Sequence, residues 1–191
     1  MIPAPPSGYD QTLEAIFACG VRAANIHIAY ADELQSDVVS IKDLGGTDEG
    51  RLHCLRQATH PAYLVMIEAK DQRAAYFAYT DREERRQARA EAIEWLRDHQ
   101  MLGRVPLYSS TKGLTEFARD LETACSVSPG STLEAVEPNI LTFRRGSLEQ
   151  GVEAGAYETF TCLRRMVAAS YADEYDIRVA FIGNEAFDES R

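Results

Sequence analysis

A chain of 191 residues is long enough for one large domain, or a domain with a smaller appended layer, and its 45% apolar and 26% charged content excludes intrinsic disorder over most of its length. Thirty Asp and Glu against 20 Lys and Arg leave a formal charge of -10, which repels nucleic-acid phosphates unless the bases gather on one face. The opening MIPAPPSGYD lacks the basic patch and apolar core of a signal peptide, and no run approaches the ~20 apolar residues of a bilayer span, so the expectation is a cytoplasmic protein without membrane contact.

After a flexible lead over 1–9, Asp10 can cap a helix over 11–19 that buries Leu13, Ile16 and Phe17 and stops at Gly20. Ile26, Ile28 and Tyr30 alternate with polar or small neighbours and predict a half-buried strand, and Val38–Ile41 predicts another. Thr47, Asp48 and Glu49 mark the start of a helix that Pro61 ends.

The run YLVMI, residues 63–67, has no obvious solvent face and predicts a central strand covered on both sides. Ala74–Tyr79 reads as a second strand, and a hairpin over about 62–79 would set Met66 opposite Phe77 and Leu64 opposite Tyr79. Thr80 and Glu83 have the spacing of a capping box and predict a helix over 81–99. A short strand at Val105–Tyr108 and an amphipathic helix built on Leu114, Phe117, Ala118 and Leu121 follow.

SVSPGSTLEAVEPN, residues 126–139, reads as a loop or linker. Beyond it come a strand at 140–143, a glycine-interrupted loop, a helix over 157–171, a strand at 177–182 and an acidic tail at 186–191. These elements predict an α+β (mixed α/β) fold, with helices packed on a central mixed sheet. The main domain would occupy 10–125, with 140–185 packed on the same domain as a strand-helix-strand part. No internal repeat stands out in the letters.

Four cysteines, Cys19, Cys54, Cys125 and Cys162, form no C-x-x-C pair and are expected as free, buried thiols. His53, Cys54 and His60 match no standard zinc spacing. The stripe Arg82, Arg85, Arg86 and Arg89 is interleaved with carboxylates and predicts a self-neutralised helix face. Phosphate-loop, dinucleotide and G-x-S-x-G signatures are missing from the sequence.

Glu68-Ala69-Lys70, at the end of a hydrophobic strand with an aspartate upstream and a helix downstream, resembles the PD-(D/E)xK nuclease superfamily over residues 37–100. The resemblance implies Glu68 and Asp43, or Asp37 in its place, as ligands of Mg or Mn, and Lys70 as the residue that positions the attacking water. On a strand, Glu68 and Lys70 would share a face.

Two functions compete on these residues. The first is a soluble acidic, non-catalytic protein without a cofactor that binds another macromolecule as a regulator, inhibitor or assembly component. Its partner would be a protein, basic or itself nucleic-acid-binding, with a homodimer as the default assembly. The alternative is a Mg- or Mn-dependent nuclease, or a degenerate relative of one.

Overall fold

The structure, a computed structural model, describes residues 8–137, 139–144, 155–175 and 177–180. The predicted tail at 186–191, most of the lead at 1–9, most of the glycine-interrupted loop and the end of the last predicted strand lie outside the described residues. The fold is α+β, with five α-helices and two small mixed sheets among the described residues. The chain divides into two compact units, 1–84 and 85–191, each with its own hydrophobic cluster.

In the first unit the order is α1 (Gly8–Ala18), β1 (Ile26–Ala31), β2 (Ser36–Ile41), α2 (Glu49–Thr59) and β3 (Leu64–Ile67), followed by the first half of α3 (Lys70–Asp98). Strand β2 is central, antiparallel to β1 and parallel to β3. Because strand side chains alternate, Val39, Ile41 and Ile67 point together into a core with Ile16 of α1, Leu52 and Leu55 of α2, and Tyr76 and Tyr79 of α3.

The second unit takes the remainder of α3, then α4 (Leu114–Ala124), β4 (Leu133–Glu137), β5 (Ile140–Phe143), α5 (Gly155–Ala169) and β6 (Arg178–Ala180). Again the middle strand is central, antiparallel to the strand before it and parallel to the one after. Ala92 and Leu96 of α3, Phe117 and Leu121 of α4, Leu141 and Phe143 of β5, and Leu163 and Met166 of α5 fill its core.

The two units are therefore the same αββαβ arrangement twice, where the letters suggested no repeat. Local sequence follows the topology. Ala18-Cys19-Gly20-Val21 ends α1 as Ala124-Cys125-Ser126-Val127 ends α4, and Gly20 and Ser126 both take left-handed backbone angles, φ 84° and 60°. Their amides close the same turn, Gly20 N–H donating to Phe17 O (2.8 Å) and Ser126 N–H to Thr123 O (3.0 Å). Cys54-Leu55-Arg56 in α2 is matched by Cys162-Leu163-Arg164 in α5.

The cysteines complete the correspondence and overturn the expectation of free thiols. Cys19 is bonded to Cys54 and Cys125 to Cys162, so each unit has its first helix tied to its second, with sequence separations of 35 and 37. Loops of that size are worth about 4 kcal/mol each through the entropy of the unfolded chain.

Further expectations change. The hairpin at 62–79 does not form, because α3 begins at Lys70; its inner face is set by Ala75, Tyr76 and Tyr79 at helical spacing, which outweighs the strand preference of aromatic residues. Thr80 is thus inside α3, where its hydroxyl donates to Phe77 O (3.0 Å) instead of capping a new helix. YLVMI is an edge strand rather than a central one, with Leu64 and Met66 exposed. Residues 126–139 hold β4, and Val105–Tyr108 is not a strand.

Candidate functional site

Parallel pairing of β2 with β3, in the register Val38 with Leu64 and Ile41 with Ile67, brings the C-terminal ends of both strands to one edge of the first unit. Glu68 N–H donates to Ile41 O (2.9 Å), which sets Glu68 beside the segment that leads to Asp43. Lys70 follows in the first turn of α3. Strand alternation therefore does not govern the pair, and both Glu68 and Lys70 are exposed.

Asp43 is engaged in holding this corner together. Its Oδ1 accepts from Gln72 Nε2 (2.7 Å) and from Gly45 N–H (2.8 Å), and its carbonyl accepts from Asn25 Nδ2 (3.0 Å). The Gln72 hydrogen bond, then that of Gly45, with smaller help from the Arg22 and Arg51 charges, holds the Asp43 carboxyl below the usual carboxylate range. Arg51 Nη1 donates to Leu44 O (2.8 Å), and Gly45 takes a left-handed φ of 75°, which favours glycine in this tight loop.

Asp37, the other candidate acid, lies at the far end of β2. It precedes Val38, the partner of Leu64, whereas Glu68 follows Ile67, which puts the two acids roughly 15 Å apart along the strands. The Asp37 carboxylate accepts a hydrogen bond from the Tyr9 hydroxyl, which raises the phenol above its ordinary range. Among the described residues no three His, Cys, Asp or Glu side chains gather as a metal-binding group.

The remaining motifs are absorbed by packing. Cys54 is in a disulfide and His53 Nδ1 lies 2.8 Å from the Tyr79 hydroxyl. In the arginine stripe, Arg82 pairs with Glu49 (2.8 Å), while Arg89 sits over the Tyr171 ring (4.0 Å) and 3.7 Å from Glu174.

A second feature of the first unit escaped the sequence reading. Between the end of α2, the start of β3 and the first half of α3 is an open cleft of about 470 Å³. Arg56, Thr59 and Tyr76 line it together with Leu64 and Phe77, and Asp81 and Glu84 stand beside them. Arg56 Nε is sealed from solvent and has no hydrogen-bond partner among the described residues. Burial raises the Tyr76 phenol above its usual range. Arg56 was legible only as a helical residue, since the cleft it lines is made by segments distant in the sequence.

The second unit has a cleft of about 750 Å³ walled by Trp95, His99, Arg104 and the Cys125–Cys162 disulfide. Its most unusual charged residue lies elsewhere. Glu122 is fully buried, and its carboxylate accepts from the N–H groups of Gly130, Thr132 (2.6 Å) and Leu133 (2.7 Å), fastening the turn before β4 to the end of α4. It stands three residues before Cys125, as the buried Ile16 stands before Cys19.

Comparison with protein-family models, with curated proteins and with solved structures produced no match to this chain.

Proposed function

We propose that this protein acts without catalysis, by binding an extended, basic segment of another protein along the free edge of β3. The carrying observation is β3 itself: it pairs with β2 alone among the described residues, and its outward side chains Leu64 and Met66 are 46% and 54% exposed. Val38, Ser40, Ala29 and His27 continue that face in register. An edge strand offers unpaired backbone groups to an added strand, and alternate side chains of the guest would lie on the apolar face.

Charge selects the guest. The net charge of -10 disfavours a second copy of the chain and favours a basic partner, and Glu68 and Asp71 lie just beyond the end of β3. Two helix-to-helix disulfides favour an oxidising compartment over the cytoplasm expected from the opening residues. No helix among the described residues is long and apolar enough to cross a membrane.

An alternating Lys-Val octapeptide tests the reading. Hydrogen exchange should slow at the β3 amides when the peptide binds, binding should weaken with salt, and Met66→Lys should abolish both effects. Unchanged β3 exchange, or equal binding by Met66→Lys, would overturn the proposal. Self-association seen by sedimentation in place of peptide binding would reassign the edge to a second copy. Mg- or Mn-dependent cleavage of nucleic acid, lost in Glu68→Ala and Lys70→Ala, would replace it with the nuclease reading.

A further inference from the structure

The cleft of the first unit contains a cation in an unusual position. Arg56 is partly buried at the end of α2, and its Nε is buried without a hydrogen-bond partner among the described residues. A guanidinium nitrogen buried without an acceptor has lost its hydration, so an anion that reaches the group regains interaction energy. Nearby hydroxyls are already committed in part, Thr59 donating to Leu55 O (2.9 Å) and Thr80 to Phe77 O (3.0 Å). Arg56 is therefore the dominant donor available to a guest.

The walls limit what the guest can be. Phe77 is 52% exposed and Leu64 46%, an apolar surface beside the cation that suits a ring or short alkyl chain. Asp81 and Glu84 stand at the same cleft and disfavour a doubly charged anion. The volume of about 470 Å³ is that of a small-molecule site. We propose that this cleft binds a small monocarboxylate with an apolar body, its carboxylate on Arg56 and its hydrocarbon against Phe77 and Leu64.

Amide NMR of the full chain titrated with phenylacetate tests the site, with 2-phenylethanol as the neutral analogue and phenyl phosphate as the dianion. Phenylacetate should give saturable shifts centred on Thr59, Leu64 and Phe77, and should bind at least about tenfold more tightly than the alcohol. Phenyl phosphate should bind more weakly than phenylacetate. Arg56→Gln should erase the preference for acid over alcohol, Arg56→Lys should keep part of it, and Phe77→Ala should weaken both ligands alike.

The proposal is overturned by an absence of saturable shifts up to about 20 mM, by shifts centred outside the cleft, or by an unaltered acid preference in correctly folded Arg56→Gln. Tighter binding of phenyl phosphate would overturn the carboxylate assignment. Met66 lies outside the cleft lining, so Met66→Lys should leave phenylacetate binding unchanged, and failure of the edge-strand proposal would not be failure of this one.

Discussion

Gln72 and Asp43 are locked side by side: Gln72 Nε2 donates to Asp43 Oδ1 at 2.7 Å, while Gln72 Oε1 accepts the neighbouring Leu44 N–H at 2.8 Å. The first turn of α3 is thereby stitched to the loop after β2. Because the folded state holds the Asp43 pKa below its unfolded value, the ionised carboxylate stabilises the fold above the unfolded pKa. That contribution is lost as pH falls through the lowered folded pKa, beginning at about pH 4. Denaturation of wild type and Asp43→Ala followed from pH 7 downward should show a difference that is constant near neutrality and closes in acid. A difference that widens in acid would show that Asp43 does not act through its ionised form.

Glu122 should be irreplaceable by its counterpart in the other unit. Ile16 fills the equivalent fully buried position, but Glu122→Ile would leave the N–H groups of Gly130, Thr132 and Leu133 without their acceptor in a closed interior. A single unsatisfied buried donor costs about 1–3 kcal/mol. Glu122→Ile should therefore destabilise by at least about 3 kcal/mol in urea titration, and Glu122→Gln, which keeps an oxygen acceptor, by less. Equal stability of Glu122→Ile and wild type would mean that water or a shifted loop satisfies those amides.

Local pattern revealed most of the short elements. The helix at Leu114, Phe117, Ala118 and Leu121 and the strands near Ile26, Val38 and Ile140 occur where apolar spacing placed them. The stretch at 70–80 misled because AAYFAY carries strand-favouring aromatics, and only burial in the cluster that also holds Ile67 and Leu55 reveals Tyr76 and Tyr79 as one helical face. At the candidate site, Glu68 and Asp43 do come to one edge of the sheet, whereas Lys70 belongs to a helix and Asp37 to the other end. The unpartnered Nε of Arg56 and the buried acceptor Glu122 were out of reach, since each is defined by partners eight or more residues away or by their lack.

Both disulfides could have been anticipated by aligning A-C-x-V with itself and C-L-R with itself, and they lead to a paired prediction. Cys19→Ser with Cys54→Ser, and Cys125→Ser with Cys162→Ser, should each destabilise by about 2–5 kcal/mol. Because the two hydrophobic clusters are separate, the first pair should lower hydrogen-exchange protection chiefly at β2 and α2 and the second chiefly at β5 and α5. Unmodified protein, denatured without reductant and treated with iodoacetamide, should take up no label on its cysteines. Labelling of all four would contradict the cross-links.

The leucine that follows the second cysteine of each unit offers a sharper comparison of the repeats. Leu55 is 0% exposed in α2 and Leu163 is 1% exposed in α5, and each packs into its own cluster next to a cross-link. Truncation to alanine removes the same atoms and leaves a cavity, at a cost of about 2–5 kcal/mol set by how far the surroundings can relax. The cluster that holds Leu163 includes Met166, with Phe160 packed against it, and Met is a side chain that refills irregular gaps. The cluster that holds Leu55 includes Val39, Ile41 and Ile67, β-branched residues with little rotamer freedom. Leu55→Ala should therefore be the more destabilising of the two in denaturant titration, and a larger loss for Leu163→Ala would show that relaxation is not governed by these neighbours.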